Sequence, residues 1–296
     1  MSPGGDLAVV IPARNESDRI GATVRAAATI PGVDILVVVD DGSCDGTGRE
    51  AEVAGAIVVR HARTMGKAAA LETGAEAVRV IEAERSAAVT AETSQLAASL
   101  VPGERPAGKH AKAEAAQPDH PAAVRSDRPE GTSARVEPAA KNRPHHLLFL
   151  DADLAESAAR AGPLAEPVLA DRADMTIAVF ASKVKRGGHG LVIGLSGAGI
   201  ERVTGWRPAE PLNGQRCLTR AAFEAARPLA SGWGAETGLT IDVLRQGMRI
   251  EEVQVPLAHR ATGTDLGSQV HRARQLLGVA RALAARQAWR PAVRSR

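Results

Sequence analysis

Short apolar runs alternate with stretches of helical periodicity through the first 83 residues and again after residue 144. Runs rich in Val, Ile and Leu predict strands, and apolar residues repeating every three or four positions predict helices. The predicted elements are, in order, a strand at 7–13, a helix at 16–30, a strand at 33–43, a helix at 45–55, a strand at 56–61 and a helix at 66–83. This alternation is typical of an α/β domain with a mostly parallel sheet and helices on both faces.

A fourth strand is predicted in "HHLLFLDADL", residues 145–154, where Leu147 to Leu150 run directly into two carboxylates, Asp151 and Asp153. Like charges at this spacing repel, and a cation between them removes the repulsion. One carboxylate of such a pair can bind Mg²⁺ or Mn²⁺, while the other binds a water of the metal or a sugar hydroxyl. The alternative is two solvated aspartates that cap the following helix.

The segment 84–143 interrupts this pattern. It is rich in Ala, Pro, Glu, Lys and Arg and has no aromatic residue and no isoleucine. Too little apolar surface is available to offset the entropy of ordering, so the segment is predicted to be a disordered insert. Its first part has few helix breakers before Pro102 and can extend the preceding helix. The predicted organisation is a single domain in two halves, 1–83 and 144–267, with this insert between them and a basic C-terminal helix and tail at 268–296.

Composition narrows the functional classes. A chain of 296 residues with 44% hydrophobic and 24% charged residues has room for one large soluble α/β domain. The net charge is only +3, and no Lys/Arg block is interleaved with aromatics, so nucleic-acid binding is not expected. Cys44 and Cys217 lie far apart and indicate neither a disulfide framework nor a metal site, which suits the reducing cytoplasm. The first residues lack the features of a signal peptide, and no apolar stretch is long enough to span a bilayer.

Polar residues collect where the predicted strands end. In an open α/β sheet the carboxyl ends of parallel strands meet at one edge, where ligands bind. The clusters at these ends are Pro12 to Glu16, Asp40 to Ser43, Arg60 to Lys67 and Asp151 to Asp153. The sequence therefore predicts one binding crevice.

Two of these clusters suggest a nucleotide. A pair of adjacent carboxylates, Asp40 and Asp41, exceeds what a turn requires, so one is expected to accept from a nucleobase N–H or from ribose hydroxyls. Gly66 and Lys67 begin a predicted helix, where backbone N–H groups and a positive side chain suit a phosphate. The spacing is not that of a Walker loop, and no G-x-G-x-x-G follows the first strand.

The ordered set "VVIPARNE", "VVVDDGSCDGT", "GKAAAL" and "LFLDADL" resembles the family 2 type of nucleotide-sugar glycosyltransferases with the GT-A fold. The resemblance covers 7–83 and 144–260. It implies metal-dependent transfer of a sugar from a nucleoside diphosphate sugar, with UDP the expected nucleotide, to a hydroxyl or phosphate of a small or polyprenyl-phosphate acceptor. The nucleotide-binding residues it implies are Pro12, Ala13, Arg14, Glu16, Asp40, Asp41, Gly66, Lys67 and Asp151. The metal, Mg²⁺ or Mn²⁺, would be bound by Asp151 and Asp153.

The second half is expected to bind the acceptor. The polar turn that resembles the acceptor-binding stretch of the family consists of Asn213, Gly214, Gln215 and Arg216. Glu236 follows the glycine-rich "SGWGAE" and opens a helical pattern. In similar inverting enzymes an acid at this point is the general base, although a helix cap is an equal alternative and Thr237 stands where the family has a second acid.

His259 and Arg260 follow a predicted strand, "RIEEVQVPL". Similar enzymes that glycosylate phosphoglycerate or polyprenyl phosphate carry "HR" near this point. The resemblance makes His259 a third metal ligand and Arg260 a contact for an acceptor or donor phosphate. It also leaves the stereochemistry open, because a Glu236 base favours inversion whereas the His-Arg relatives retain configuration.

Two other functions are weighed. A sugar-phosphate nucleotidyltransferase usually has G-x-G-x-R after its first strand, and this chain has "PARNE" there. A non-catalytic nucleotide-sugar binding protein would not need Asp151, Asp153, Glu236 and His259. The C-terminal helix is interpreted as a surface helix packed on the domain, with peripheral contact to anionic lipid at the inner face of the membrane as the alternative. A homodimer is also left open.

Overall fold

The structure is a computed structural model that describes residues 6–100, 143–180, 190–257 and 266–287. Side chains are described for 6–94, 143–180, 191–257 and 275–286. The chain divides into two compact units, one formed by 1–83 with 143–296 and the other by 84–142. His259 and Arg260, and residues 101–142 of the predicted insert, lie outside the described residues.

The first unit is built on one seven-stranded sheet with the strand order β3-β2-β1-β4-β6-β5-β7. Its strands are β1 (Leu7–Ala13), β2 (Val33–Asp40), β3 (Ile57–Arg60), β4 (His146–Phe149), β5 (Met175–Phe180), β6 (Arg216–Leu218) and β7 (Ile250–Val255). All neighbouring strands are parallel except that β6 runs antiparallel between β4 and β5. The predicted fold class, a mostly parallel α/β sheet of the GT-A type, is confirmed.

Eight α-helices are described. They are α1 (Ser17–Ala27), α2 (Thr47–Val53), α3 (Lys67–Leu100), α4 (Glu166–Leu169), α5 (Gly190–Thr204), α6 (Arg220–Ala225), α7 (Ala235–Arg245) and α8 (Leu266–Gln287). Two 3₁₀ segments lie at Ala155–Leu164 and Gly232–Gly234. Residues 84–100, the start of the predicted insert, continue α3, in agreement with the scarcity of helix breakers before Pro102.

The sheet is covered on both faces, as its apolar strands require. On one face, alternate residues of β1 and β2 pack against α1 and the 3₁₀ segment Ala155–Leu164 in one apolar cluster. On the other face, the intervening residues of β1 and β2 pack against α3, α6 and α7 in a second cluster. Helix α3 approaches β1 so closely that a Cβ on Gly74 would lie 2.3 Å from a methyl carbon of Val10. This close packing fixes the helix whose first residue is Lys67 over the carboxyl edge of the sheet.

Helices α5 and α8 form a further layer on α7. Leu239 and Val243 of α7 belong to the cluster against the sheet. Ile241 of the same helix packs outward against α5 and α8, in a third apolar cluster. Helix α7 is therefore enclosed between the sheet and an outer pair of helices, which holds its first turn rigidly beside the strand ends.

Candidate active site

A cavity of about 370 Å³ opens at the carboxyl ends of the parallel strands. All four strand-end clusters predicted from the sequence contribute to it. The residues that line it are Pro12, Ala13, Arg14, Asp41, Thr64, Gly66, Lys67, Ala70, Asp151, Gly232, Trp233 and Glu236. Eight of these twelve were predicted as site residues, and Thr64, Ala70, Gly232 and Trp233 were not.

Hydrogen bonds between the loops after β1 and β2 fix one side of the cavity. The backbone N–H of Asn15 donates to Ser43 Oγ at 3.0 Å, and the Asn15 side-chain oxygen accepts from Cys44 N–H at 3.0 Å. Asn15 has a φ of 55°, a conformation that asparagine tolerates better than most residues. The backbone N–H of Glu16 donates to Thr47 Oγ1 at 2.8 Å, so Glu16 lies at the start of α1 and outside the cavity lining.

Asp41 is held by the loop that follows β3. Its Oδ1 lies 2.7 Å from His61 Nδ1 and accepts from Met65 N–H at 2.7 Å, and its Oδ2 accepts from Gly66 N–H at 2.8 Å. Burial alone would raise the pKa of Asp41, but these hydrogen bonds outweigh burial and the pKa is lowered. Asp41 is therefore a fixed anionic acceptor at the cavity wall.

His61 was not singled out from the sequence. Its Nε2 lies 3.0 Å from Thr73 Oγ1 of α3, so the ring joins Asp41 to that helix.

The close approach of the loop after β3 to Gly42 explains why glycine follows the two aspartates. A Cβ on Gly42 would lie 2.8 Å from the Arg63 carbonyl carbon, and its φ of +69° also favours glycine.

Asp40, the other member of the pair, does not line the cavity. Its side chain is fully buried, with Oδ1 accepting from Ser43 N–H at 2.9 Å and Oδ2 lying 3.4 Å from Arg60 Nε. Helix α2 passes so close that a Cβ on Gly48 would be 2.9 Å from Oδ2. Asp40 thus stabilises the turn that presents Asp41.

The ammonium of Lys67 lies between two carboxylates in the lining of the cavity. Its Nζ is 2.8 Å from Asp151 Oδ1 and 3.1 Å from Glu236 Oε1. Burial alone would lower the pKa of Lys67, but the charges of Asp151 and Glu236 outweigh it and raise the pKa above its ordinary value. Residues from both halves of the sequence are thereby joined in one charged cluster.

The turn before β6 contacts this charged cluster and holds it in place. Gln215 Nε2 donates to Asp151 Oδ2 at 2.6 Å, so the two oxygens of Asp151 have different partners. Gly214 packs against the Lys67 ammonium, and a Cβ on Gly214 would be 2.3 Å from Lys67 Nζ. Asn213 donates to the Ala178 carbonyl at 2.7 Å and accepts from Gln215 N–H at 3.0 Å. These three residues position the charged cluster and are not among the residues that line the cavity.

Arg216 is also outside the cavity lining. The residue is only 1% exposed, and it donates to the carbonyls of Asn213 and Pro211 and to Thr240 Oγ1, at 2.8, 3.2 and 2.8 Å. Burial lowers the pKa of Arg216 to about 10, although Glu236 and Glu252 act in the opposite direction. The residue remains charged at neutral pH and ties the turn to α7, because Thr240 donates in turn to the Glu236 carbonyl at 2.9 Å.

We expect Arg216→Met to destabilise the protein by about 2 kcal/mol, because two buried carbonyls lose their donor while the cost of burying a charge is relieved. Urea unfolding followed by circular dichroism measures the change. The control is Arg207→Met, which removes an arginine from an exposed ion pair with Glu201 and is expected to cost less than about 1 kcal/mol. Equal effects of the two substitutions would contradict the structural role of Arg216.

Asp153, which was predicted as a site residue, and Trp233, which was not, lie as follows. Asp153 is partly buried and does not line the cavity, and its carbonyl accepts from Arg19 Nη1 at 3.3 Å. Trp233, flanked by Gly232 and Gly234, is exposed at the cavity, and its position in "SGWGAE" was the only signal in the sequence. Within the described ranges, no three His, Cys, Asp or Glu side chains are grouped so as to hold a metal ion.

No described helix is long and apolar enough to cross a membrane.

Comparison with known proteins agrees with this architecture. Residues 8–80 match the family model of glycosyl transferase family 2. An uncharacterized protein of Methanocaldococcus jannaschii is 44% identical over 69 residues, which are 23% of this chain and 28% of that protein. The chain thus spans little more than a quarter of the length of this curated relative.

Similar solved structures cover nearly the whole chain. Glucosyl-3-phosphoglycerate synthase from Mycobacterium tuberculosis, in complex with Mn²⁺, UDP-glucose and phosphoglyceric acid, has a TM-score of 0.58 at 21% identity, over 97% of this chain and 81% of that one. Mannosyl-3-phosphoglycerate synthase from Rubrobacter xylanophilus has a TM-score of 0.60 at 19% identity, over 98% and 77%. These structural likenesses confirm the predicted GT-A fold, and the first 80 residues carry the match to the glycosyl transferase family 2 model.

Proposed function

We propose that this protein transfers a sugar from a nucleoside diphosphate sugar, with UDP the expected nucleotide, to a hydroxyl or phosphate of a small or lipid-linked acceptor. The observation that carries the proposal is the Lys67 ammonium between Asp151 and Glu236, in a cavity at the carboxyl edge of the sheet. A diphosphate leaving group needs positive charge, and an acceptor hydroxyl needs a base. This cluster offers both within one cavity.

The nucleoside would bind along the walls formed by Pro12, Ala13, Arg14 and Asp41. The carboxylate of Asp41, held by three hydrogen bonds, can accept from a base N–H or from ribose hydroxyls without losing conformational freedom on binding. Gly66 directly precedes α3 beside this wall, and its position at the start of that helix suits a phosphate group. The predicted contributions of Asp40 and Glu16 would be indirect, through the turns they stabilise.

The acidic oxygens at the cavity are suited to a divalent metal. Mg²⁺ is usually bound by one or two carboxylates, with waters and substrate phosphates completing its shell. Asp151 and Asp153 would supply the protein ligands, and His259 would be a third. The bound metal would stabilise negative charge on the departing diphosphate. Lys67 would add a second positive charge there while keeping Asp151 in place.

Glu236 is our candidate for the general base in an inverting transfer. Its carboxylate lies in the cavity at the first turn of α7, and Lys67 orients it. In a retaining transfer the same carboxylate would bind sugar hydroxyls, and no base would be required. The anomeric configuration of the product, measured by ¹H NMR, distinguishes the two roles.

The neighbours solved with phosphoglycerate suggest an acceptor that carries both a hydroxyl and negative charge. Arg260 would bind its phosphate or carboxylate. The turn Asn213 to Arg216, expected from the sequence to contact the acceptor, would instead act on the acceptor site through Gly214 and Gln215, which support Lys67 and Asp151.

Calorimetric binding of UDP, GDP and their glucose and mannose conjugates, with and without Mn²⁺, tests the donor site. We expect one nucleotide to bind in a metal-dependent manner, and Asp151→Asn and Asp153→Ala each to weaken that binding by about tenfold or more. Asp171→Asn, at an exposed carboxylate paired with Arg249, is the control. If the folded protein binds none of these nucleotides, the proposed donor site is wrong.

Slow release of free sugar from the donor distinguishes an enzyme from a binding protein that has lost catalysis. We expect metal-dependent donor hydrolysis in the absence of an acceptor. Binding without hydrolysis, and without transfer to any phosphorylated acceptor tried, would favour the non-catalytic alternative.

A further inference from the structure

The outer pair of helices, α5 and α8, exposes leucines to solvent. Leu191 is 83% exposed and Leu195 37% exposed on α5, and Leu276 is 40% and Leu277 56% exposed on α8. The two helices pack directly on each other, because a Cβ on Gly199 of α5 would lie 2.4 Å from Leu283 of α8. We call these four leucines the α5–α8 surface.

The outward face of α8 is apolar where a surface helix is normally polar. Between residues 275 and 286 the buried positions include Val279, Ala282 and Leu283, which pack inward. The exposed positions on the opposite side are Leu276, Leu277, Ala280, Arg281, Ala284 and Ala285. Five of these six are apolar, so over this part the helix has apolar residues on both its inward and its outward face, whereas the sequence suggested a basic outward face.

This helix lies directly against the mouth of the cavity. Gly278 packs on the loop that carries Trp233, and a Cβ on Gly278 would be 3.1 Å from Trp233 Cβ. On the other side, a Cβ on Gly234 would be 2.6 Å from Ala282 Cβ. The exposed indole of Trp233 lines the cavity, so apolar side chains continue from the cavity to α8. Helix α8 therefore lies between the α5–α8 surface and the loop that forms this part of the cavity wall.

The charge of the C-terminal segment identifies the occupant. Residues 266–296 contain no Asp or Glu. The arginines in this segment are Arg272, Arg274, Arg281, Arg286, Arg290, Arg294 and Arg296. Only Arg286 among those whose side chains are described forms an ion pair, with Asp242. The charge that this segment carries is therefore positive, which attracts an anionic surface, whereas a second copy of the chain would present the same positive charge.

We propose that the α5–α8 surface binds the surface of an anionic lipid bilayer, with its leucines in the interface and the cavity opening next to the lipid. Apolar side chains combined with arginines on one helix are the features of interfacial membrane binding, in which buried apolar area and attraction to anionic lipid act together. The proposal does not rest on the transfer reaction and is tested without donor or acceptor.

Co-sedimentation of the full-length protein with vesicles measures this binding. We expect the protein to bind vesicles of phosphatidylcholine with phosphatidylglycerol, and to bind neutral phosphatidylcholine vesicles at least about tenfold more weakly. Leu276→Ser with Leu277→Ser should lower the partition coefficient by about tenfold or more, because two leucines lose their apolar contact. Leu169→Ser, which replaces a 43% exposed leucine on α4, is the matched control and should leave binding unchanged.

A charge variant and a quenching measurement add independent tests. Arg281→Gln should weaken binding to anionic vesicles by about fivefold, and added salt should reduce this difference. Brominated lipid should quench tryptophan fluorescence of the wild type more strongly than that of Trp233→Phe, since Trp233 lies beside the surface.

Three results would overturn the proposal. The first is equal binding of the protein to neutral and anionic vesicles. The second is vesicle binding that stays unchanged when Leu276→Ser and Leu277→Ser are combined. The third is the absence of vesicle binding together with a dimer, seen by analytical ultracentrifugation, that the same double substitution dissociates. That result would assign the α5–α8 surface to a second copy of the chain. Circular dichroism confirms that each variant is folded.

Discussion

Replacing Lys67 by methionine is expected to lower the rate of sugar transfer by about 100-fold to 1000-fold, the usual cost of removing one preorganised charge-stabilising group. Methionine preserves most of the length of the side chain but removes the ammonium that contacts Asp151 and Glu236. The two carboxylates then repel without a counter-charge, and the departing diphosphate loses one of its positive neighbours. Initial rates with the donor identified by calorimetry measure the effect.

The matched control is Arg79→Met on the same helix. Arg79 also pairs with a carboxylate, that of Glu76, but both side chains are exposed and remote from the cavity lining. Its removal should leave the transfer rate unchanged and alter stability by less than about 1 kcal/mol. If Lys67→Met keeps the wild-type rate while remaining folded, the charged cluster is structural and the mechanism proposed for it is wrong.

Residues of the cavity could be predicted wherever a parallel strand ends. Long apolar runs fix β1, β2 and β4 as buried strands, and their carboxyl ends must share one edge of the sheet. Asp41, Lys67 and Asp151 therefore come together by topology, before any side chain is placed. Glu236 was expected at the site from the family resemblance, because the local pattern, a glycine-rich loop before a helix, fits a helix cap equally well.

The sequence does not distinguish between adjacent polar residues at such an end. Asp40 and Asp41 looked equivalent, yet Asp40 points into the turn and Asp41 faces the cavity. The choice depends on tertiary contacts, namely the Ser43 N–H and α2 around Asp40 and the Met65 and Gly66 N–H groups around Asp41. These partners lie on other elements, and local pattern cannot reveal them.

The turn before β6 depends on tertiary contacts in the same way. The family resemblance suggested a polar turn at Asn213 to Arg216 that contacts the acceptor, and in the structure this stretch is buried and enters an antiparallel strand. Strand β6 has only three residues, Arg216–Leu218, and a strand this short gives no periodic signal. The buried arginine is tolerated because three hydrogen bonds to the turn and to α7 satisfy it.

Gly214→Ala is expected to lower the transfer rate nearly as far as Lys67→Met while leaving the protein folded. The added Cβ would lie 2.3 Å from Lys67 Nζ and 3.1 Å from Asp151 Oδ1, so the ammonium must move away. A lysine terminus is flexible, and movement of its end costs the fold little. The control is Gly194→Ala on α5, where nothing lies within 4 Å of the added Cβ, and activity should not change.

A double-mutant cycle shows whether the two residues act together. If Gly214 is required only to give room to the Lys67 ammonium, adding Gly214→Ala to Lys67→Met should reduce the rate by less than about twofold. Methionine ends where Lys67 has its Cε, which is 3.3 Å from the added Cβ, whereas the missing ammonium would be at 2.3 Å. Additive losses would mean that Gly214 serves the reaction independently, for example by leaving space for the substrate. The cycle therefore separates a glycine needed for the position of a side chain from one needed for the ligand, a distinction that the close contact alone does not make.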